Sequence, residues 1–134
     1  MPFLHKLSTA ILIANLLFAG CKSTSDSNII LLDAPAYHDK LEATTDARLI
    51  DVRTPEEFRE GHLPGSININ WEGDDFKEEV KIFDKNEPVF VYCEAGARGT
   101  DAAKYLSGEG FKEVYNLEGG FQEWKTLYPT LVEK

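Results

Sequence analysis

Residues 88–92 (PVFVY) form an unbroken apolar run, and the chain then turns at once through Cys93-Glu94-Ala95-Gly96-Ala97-Arg98 into a helix-like stretch. No other feature narrows the fold as much. An uninterrupted run of this length suits a strand covered on both faces rather than one with a wet side. Its surroundings repeat the theme. Short apolar segments at 28–32, 47–52, 66–69 and 112–116 alternate with helix-like segments at 34–44, 54–60, 74–83, 97–107 and 120–127. Such alternation predicts an α/β domain: a mostly parallel sheet with helices on both faces.

Local signals sharpen the element ends. Thr54 can cap a helix, Pro55 suits its first position, and Glu57 completes a capping box. Gly61 ends that helix, Leu63-Pro64-Gly65 is a turn, and Gly108 and Gly110 break the helix that starts at 97. In parallel sheets of this kind the ligand crevice opens at the carboxyl ends of the strands. Cys93, directly after a central-looking strand, stands where that architecture puts its chemistry.

The first twenty residues read differently. His5 and Lys6 make a positive start, residues 7–18 (LSTAILIANLLF) are mostly apolar, and Ala19-Gly20-Cys21 follows. The run is shorter than the roughly 20 apolar residues a membrane span needs, and the pattern is that of a secretory signal. With Cys21 directly after Ala-Gly, the segment resembles the bacterial lipobox, although Phe18 stands where that pattern usually has Leu. The resemblance implies a signal peptide over 1–20, a lipidated Cys21 and a flexible tether over 21–28, leaving 29–134 as the domain. It also implies a place in the bacterial cell envelope, membrane-bound through the lipid on Cys21. Lys22 lacks the Asp that usually retains such proteins at the inner membrane, so the outer membrane, facing the periplasm, is expected.

Charge and cysteine content exclude several classes. Fourteen Lys and Arg against 23 Asp and Glu leave a formal charge of −9. Such a surface repels a phosphate backbone, so nucleic acid is not an expected partner. Cys21 and Cys93 are the only cysteines. They form neither a disulfide framework nor a metal cluster, so no metal and no cofactor is expected. If Cys21 carries lipid, Cys93 has no partner within its chain and is either buried and inert or reactive.

Its surroundings favour a reactive thiol. A loop entering a helix presents free N–H groups, which favour a thiolate at their centre. Arg98 lies at the start of that helix, where a cation is disfavoured unless an anion is close.

Here the chain resembles the rhodanese family over about residues 28–127. The resemblance rests on Asp51-Val52-Arg53 with Pro55-Glu56-Glu57-Phe58, and on Gly61-His62-Leu63-Pro64-Gly65-Ser66-Ile67. The Cys93 loop and Gly119-Gly120 followed by Trp124 complete it. It implies a three-layer sandwich around a five-stranded parallel sheet. It further implies a sulfurtransferase in which Cys93 takes a sulfane sulfur from thiosulfate or a persulfide and passes it to cyanide or a thiol. The loop amides of Glu94, Ala95, Gly96, Ala97 and Arg98 would bind the sulfur, with Arg98 holding the loop or the donor. Asp51 and Arg53 support it as a structural ion pair. A protein-fed sulfur carrier and an inert docking or redox module are the alternative readings.

Loop length separates the chain from a relative. Four residues lie between Cys93 and Arg98, whereas the related cell-cycle phosphatases use five. A shorter loop makes a cradle for one sulfur rather than a tetrahedral oxyanion. Two departures stand out. Glu94 follows the cysteine where many members have a basic or neutral residue, which would disfavour a dianion such as thiosulfate. Gly99 stands where Ser or Thr is frequent, with Thr100 beside it. His62 reads as a turn residue rather than a base, His38 as a surface helix residue, and Trp71 and Trp124 as packing residues. Glu72, Asp74 and Asp75 read as a solvated loop and a helix N-terminus.

Overall fold

The computed structural model describes residues 28–134. The signal-like segment 1–20, the lipidation candidate Cys21 and tether residues 22–27 lie outside the described residues. Five strands and five helices alternate: β1 (Ile29–Leu32), α1 (Ala34–Glu42), β2 (Arg48–Asp51), α2 (Pro55–Glu60), β3 (Ile67–Asn68), α3 (Phe76–Glu79), β4 (Val89–Tyr92), α4 (Ala97–Gly108), β5 (Val114–Leu117) and α5 (Gly120–Leu127). The sheet order is β1-β5-β4-β2-β3, and every pairing is parallel. β4 is central and all four of its residues are buried, as a double-sided strand requires.

Each face of the sheet carries its own core layer. Ile50, Val91, Phe76, Ala102 and Leu106 join α3 and α4 to one face. Phe90, Tyr115, Leu117, Tyr37 and Trp124 join α1 and α5 to the other. Successive β4 residues point to opposite layers, so one strand ties both cores together. Each such buried aliphatic or aromatic side chain contributes about 1.5–3 kcal/mol relative to exposure, which makes β4 a rigid base for the loop that follows it.

The capping signals work as read. Thr54 Oγ1 accepts from the Glu57 N–H at 3.3 Å, and the Glu57 carboxylate accepts from the Thr54 N–H at 2.9 Å. Several boundaries differ from the sequence expectation. The strand expected at 66–69 contracts to β3, which pairs only with β2 at the sheet edge. The helix expected at 74–83 splits into α3 and a 3-10 turn (Val80–Ile82). Its N-cap Asp75 makes no side-chain cap bond, and docking of Phe76 and Val80 decides the backbone path instead. β5 starts later than expected because the Lys112 N–H bonds the Lys85 carbonyl at 3.0 Å rather than a ladder partner. Gly108 stays inside α4, and the break falls at Gly110, whose φ is +97°. Asn28, expected to end the tether, is bound into the domain: its side chain bonds Phe111 and Ser107, and its carbonyl accepts from the Val114 N–H at 3.0 Å.

Candidate active site

Cys93 lies at the carboxyl end of β4 and is 1% exposed. The loop beyond it closes at Gly96, the residue before α4, with φ +118°. A side chain is strained at that angle, so glycine is what lets the turn form. The Gly96 N–H donates to Cys93 Sγ at 3.0 Å. Ala97, Arg98 and Gly99 are the first residues of α4, and N–H groups at such positions have no intrahelical acceptor. The sulfur therefore sits at the positive end of a three-turn helix, with one amide already bonded to it. Of the loop residues expected to bind sulfur, Gly96 is the direct donor in the resting state.

A second helix start grips the loop from behind. The Phe121 N–H donates to the Cys93 carbonyl at 2.8 Å, and the Gln122 N–H to the Glu94 carbonyl at 3.1 Å. Gly120, at φ +61°, makes this approach possible: a Cβ there would sit 2.5 Å from the Glu94 oxygen and 2.6 Å from the Cys93 oxygen. The Gly119-Gly120 pair thus has a steric reason.

Arg98 finds its anion within the protein. Its guanidinium forms a bidentate pair with Glu57, at 2.8 and 2.9 Å, and lies 3.6 Å from Glu72. Hydrogen bonds from Arg98 hold the Glu57 carboxyl down to about 2, against partial burial that works the other way. Arg98 is raised in turn, chiefly by Glu57. Glu57 therefore does two tasks: it caps α2 and fixes Arg98 on the rim of the loop. The capping box accounts for Glu57 in the sequence, so nothing there signals its second partner.

Asp51 and Arg53, expected as a structural pair, are indeed bonded at 2.7 Å and are 0% and 2% exposed. Burial works to lower the Arg53 pKa, and the Asp51 carboxylate outweighs it and raises the value above that of a free guanidinium. The pair reaches further than expected. Arg53 also donates to the Gly61 carbonyl at 2.6 Å and to the Glu94 carboxylate at 2.9 Å, and its guanidinium stacks 4.2 Å from the Phe121 ring centroid. Lys125, which no sequence signal singles out, lies 3.9 Å from Glu94. Glu94 is therefore no bare carboxylate facing a donor. Asp51 and Glu94 are matched by Arg53 and Lys125. A cleft of about 420 Å³ beside the loop is lined by Arg53, Glu94 and Lys125 together with Glu57, Glu60 and Phe121.

The remaining residues pack. The His62 ring bonds the Phe58 carbonyl at 2.9 Å through Nδ1 and stacks on Phe58. Trp124 is buried, and Trp71 packs on Phe76. His38 is half-buried and stacks on Tyr128 rather than standing free. Asn116 on β5 was not singled out by sequence. It is 2% exposed, and its Oδ1 has no hydrogen-bond partner among the described residues. Such an orphan costs about 1–3 kcal/mol, which marks a position held for a reason other than stability.

Residues 33–127 match the Rhodanese-like domain family. The chain belongs to this family. It is 42% identical over 83 residues to the thiosulfate sulfurtransferase GlpE of Pseudomonas syringae, covering 62% of this chain and 76% of that one. Among solved structures it resembles reduced CoADR-RHD of Bacillus anthracis, with a TM-score of 0.70 and 28% identity. That match covers 81% of this chain but 19% of the longer protein. A rhodanese-related protein of Thermoplasma volcanium matches with a TM-score of 0.63 and 29% identity, over 72% of this chain and 91% of that one. As a rhodanese-like domain, the chain has the three-layer, parallel-sheet architecture of the family.

Proposed function

We propose that this rhodanese-type sulfurtransferase carries a sulfane sulfur on Cys93, taking it from thiosulfate or an organic persulfide and giving it to cyanide or a thiol. The observation that carries the reading is the Gly96 N–H donating to Cys93 Sγ at 3.0 Å, at the open start of α4. Family membership and the named thiosulfate sulfurtransferases among its relatives support the same class.

The Cys93 thiolate attacks the outer sulfur of the donor. A new S–S bond forms, the donor's S–S bond breaks, and the electron pair leaves with sulfite or with the donor thiolate. Cys93 then bears a persulfide anion. The Gly96 N–H, together with the free amides of Ala97 and Arg98 at the start of α4, would stabilise it. In the second half, the acceptor attacks the terminal sulfur, which leaves as thiocyanate or a new persulfide, and the Cys93 thiolate returns. Proton transfer by His62 has no part in this scheme.

Arg53 and Lys125 offset the Glu94 carboxylate in part, so the disfavour of a dianion expected from its sequence position is weakened rather than removed and thiosulfate is a usable donor. Glu94→Gln leaves Arg53 and Lys125 with excess positive charge, so KM for thiosulfate is expected to fall a fewfold while that for a neutral persulfide donor stays put. The signal-like start and Cys21 support attachment to the cell envelope, which the mass of the mature native protein checks.

Intact mass of the reduced protein after thiosulfate treatment tests the main reading. One added sulfur, removable by cyanide and absent in Cys93→Ser, is the expected result. A reactive thiol that gains no sulfur from thiosulfate or from an organic persulfide would overturn it.

A further inference from the structure

The amide of Asn116, whose oxygen is unpartnered among the described residues, lies at the end of a chain of hydrogen bonds that leads to the sulfur. Asn116 Nδ2 donates to Thr100 Oγ1 at 3.3 Å. Thr100 Oγ1 donates to the Gly96 carbonyl at 3.0 Å, and the Thr100 N–H donates to the same oxygen at 3.0 Å. The Gly96 N–H completes the path to Cys93 Sγ. A hydroxyl bonding the carbonyl four residues back is common in helices. What is particular here is a buried side chain on the central sheet that orients the hydroxyl.

Gly96 is the weak link of the loop. Its left-handed backbone has no side chain to limit it, and the residue before a helix has only its carbonyl tied into the helix. Two bonds from Thr100 pin that carbonyl. With the carbonyl fixed, the remaining rotation decides whether the N–H meets the sulfur. Gly99 makes room for the arrangement: a Cβ there would lie 2.7 Å from Asn116 Oδ1. The amide thus fills the space that a side chain at 99 would take.

We infer that Asn116 and Thr100 are positioning residues for sulfur transfer, acting through Gly96 to aim its N–H at Cys93. The inference rests on Cys93 as the reacting sulfur for its kinetic consequence only. The resting geometry can be read without any sulfur transfer, so failure of the persulfide reading and failure of this one are distinguishable.

The test uses Thr100→Val, which keeps the shape and removes the hydroxyl, and Thr100→Ser, which restores it. Hydrogen exchange at the Gly96 amide is followed in the reduced protein, together with kcat and KM for thiosulfate. Exchange at Gly96 about tenfold faster in Thr100→Val, with β4 and β5 amides still protected, is expected. So is a kcat about tenfold lower at unchanged KM, with both values recovered in Thr100→Ser. Asn116→Leu, which cannot donate to Thr100, should repeat the Val result and serves in its place if Thr100→Val does not fold. Unchanged Gly96 exchange and kcat would overturn the inference. So would a uniform rise in exchange across the sheet, which would make Thr100 a stability residue only.

Discussion

Single positions around Cys93 are set by contact distances. Gly120→Ala would drive a Cβ to 2.5 Å from a loop carbonyl at a φ of +61°. Neither the loop nor α5 can move without losing the bonds between them. The variant should lose about 3 kcal/mol or more of stability, read by urea unfolding, and load little sulfur. Arg98 is a different case. Lysine keeps the charge but cannot form the two parallel bonds to Glu57. Arg98→Lys should therefore fold normally and load sulfur about tenfold more slowly, measured as persulfide formed per second at saturating thiosulfate. The expectation that Arg98 needs a nearby anion came from its place at a helix start. The identity of the anion, Glu57, did not, because the two residues are 41 apart in the chain.

Elements meet at the site through charge. α2 and α4 are joined by the Glu57–Arg98 pair, and the lowered Glu57 carboxyl gives this joint a pH dependence. Its folded value is about 2 against 4.5 in the free side chain. The stabilisation is thus complete above roughly pH 4.5 and is lost as the pH falls towards 2. Glu57→Gln removes it. The stability gap between wild type and variant, measured by urea at several pH values, should be constant near neutrality and close across that acid window. Added salt should narrow it, since the pair is partly exposed. A gap that persists at pH 2 would mean that the charge of Glu57 is not what holds the joint.

The molecule as a whole is organised around a buried charged pair at the end of β2. Arg53 binds Asp51, the Gly61 carbonyl and Glu94, and so links the sheet, the turn after α2 and the active loop. Removing one member of a buried pair leaves an uncompensated charge and typically costs 3–5 kcal/mol, far more than a surface bridge. Asp51→Ala should accordingly lose about 3 kcal/mol in urea unfolding, and Glu94→Gln much less, because Asp51 still holds Arg53. In the sequence Asp-x-Arg looks like an ordinary bridge. Burial between two core layers turns it into a support of the loop.

What the sequence determined was local. The apolar run of β4, the alternation of strands and helices, the capping box at Thr54 and the entry of the Cys93 loop into a helix all rest on neighbouring residues. Their physics acts within a few positions, so the parallel sheet and the place of the Cys93 loop were legible. Even the Gly-Gly pair could be noticed, though not its purpose. Tertiary structure decided which charges and polar groups meet: Glu57 with Arg98, Arg53 with Glu94, Asn116 with Thr100. The helix limits set by docking, at α3 and β5, belong with these. A carboxylate or an amide has the same hydrogen-bonding capacity wherever it stands, and only the folded chain brings one partner rather than another within bonding distance.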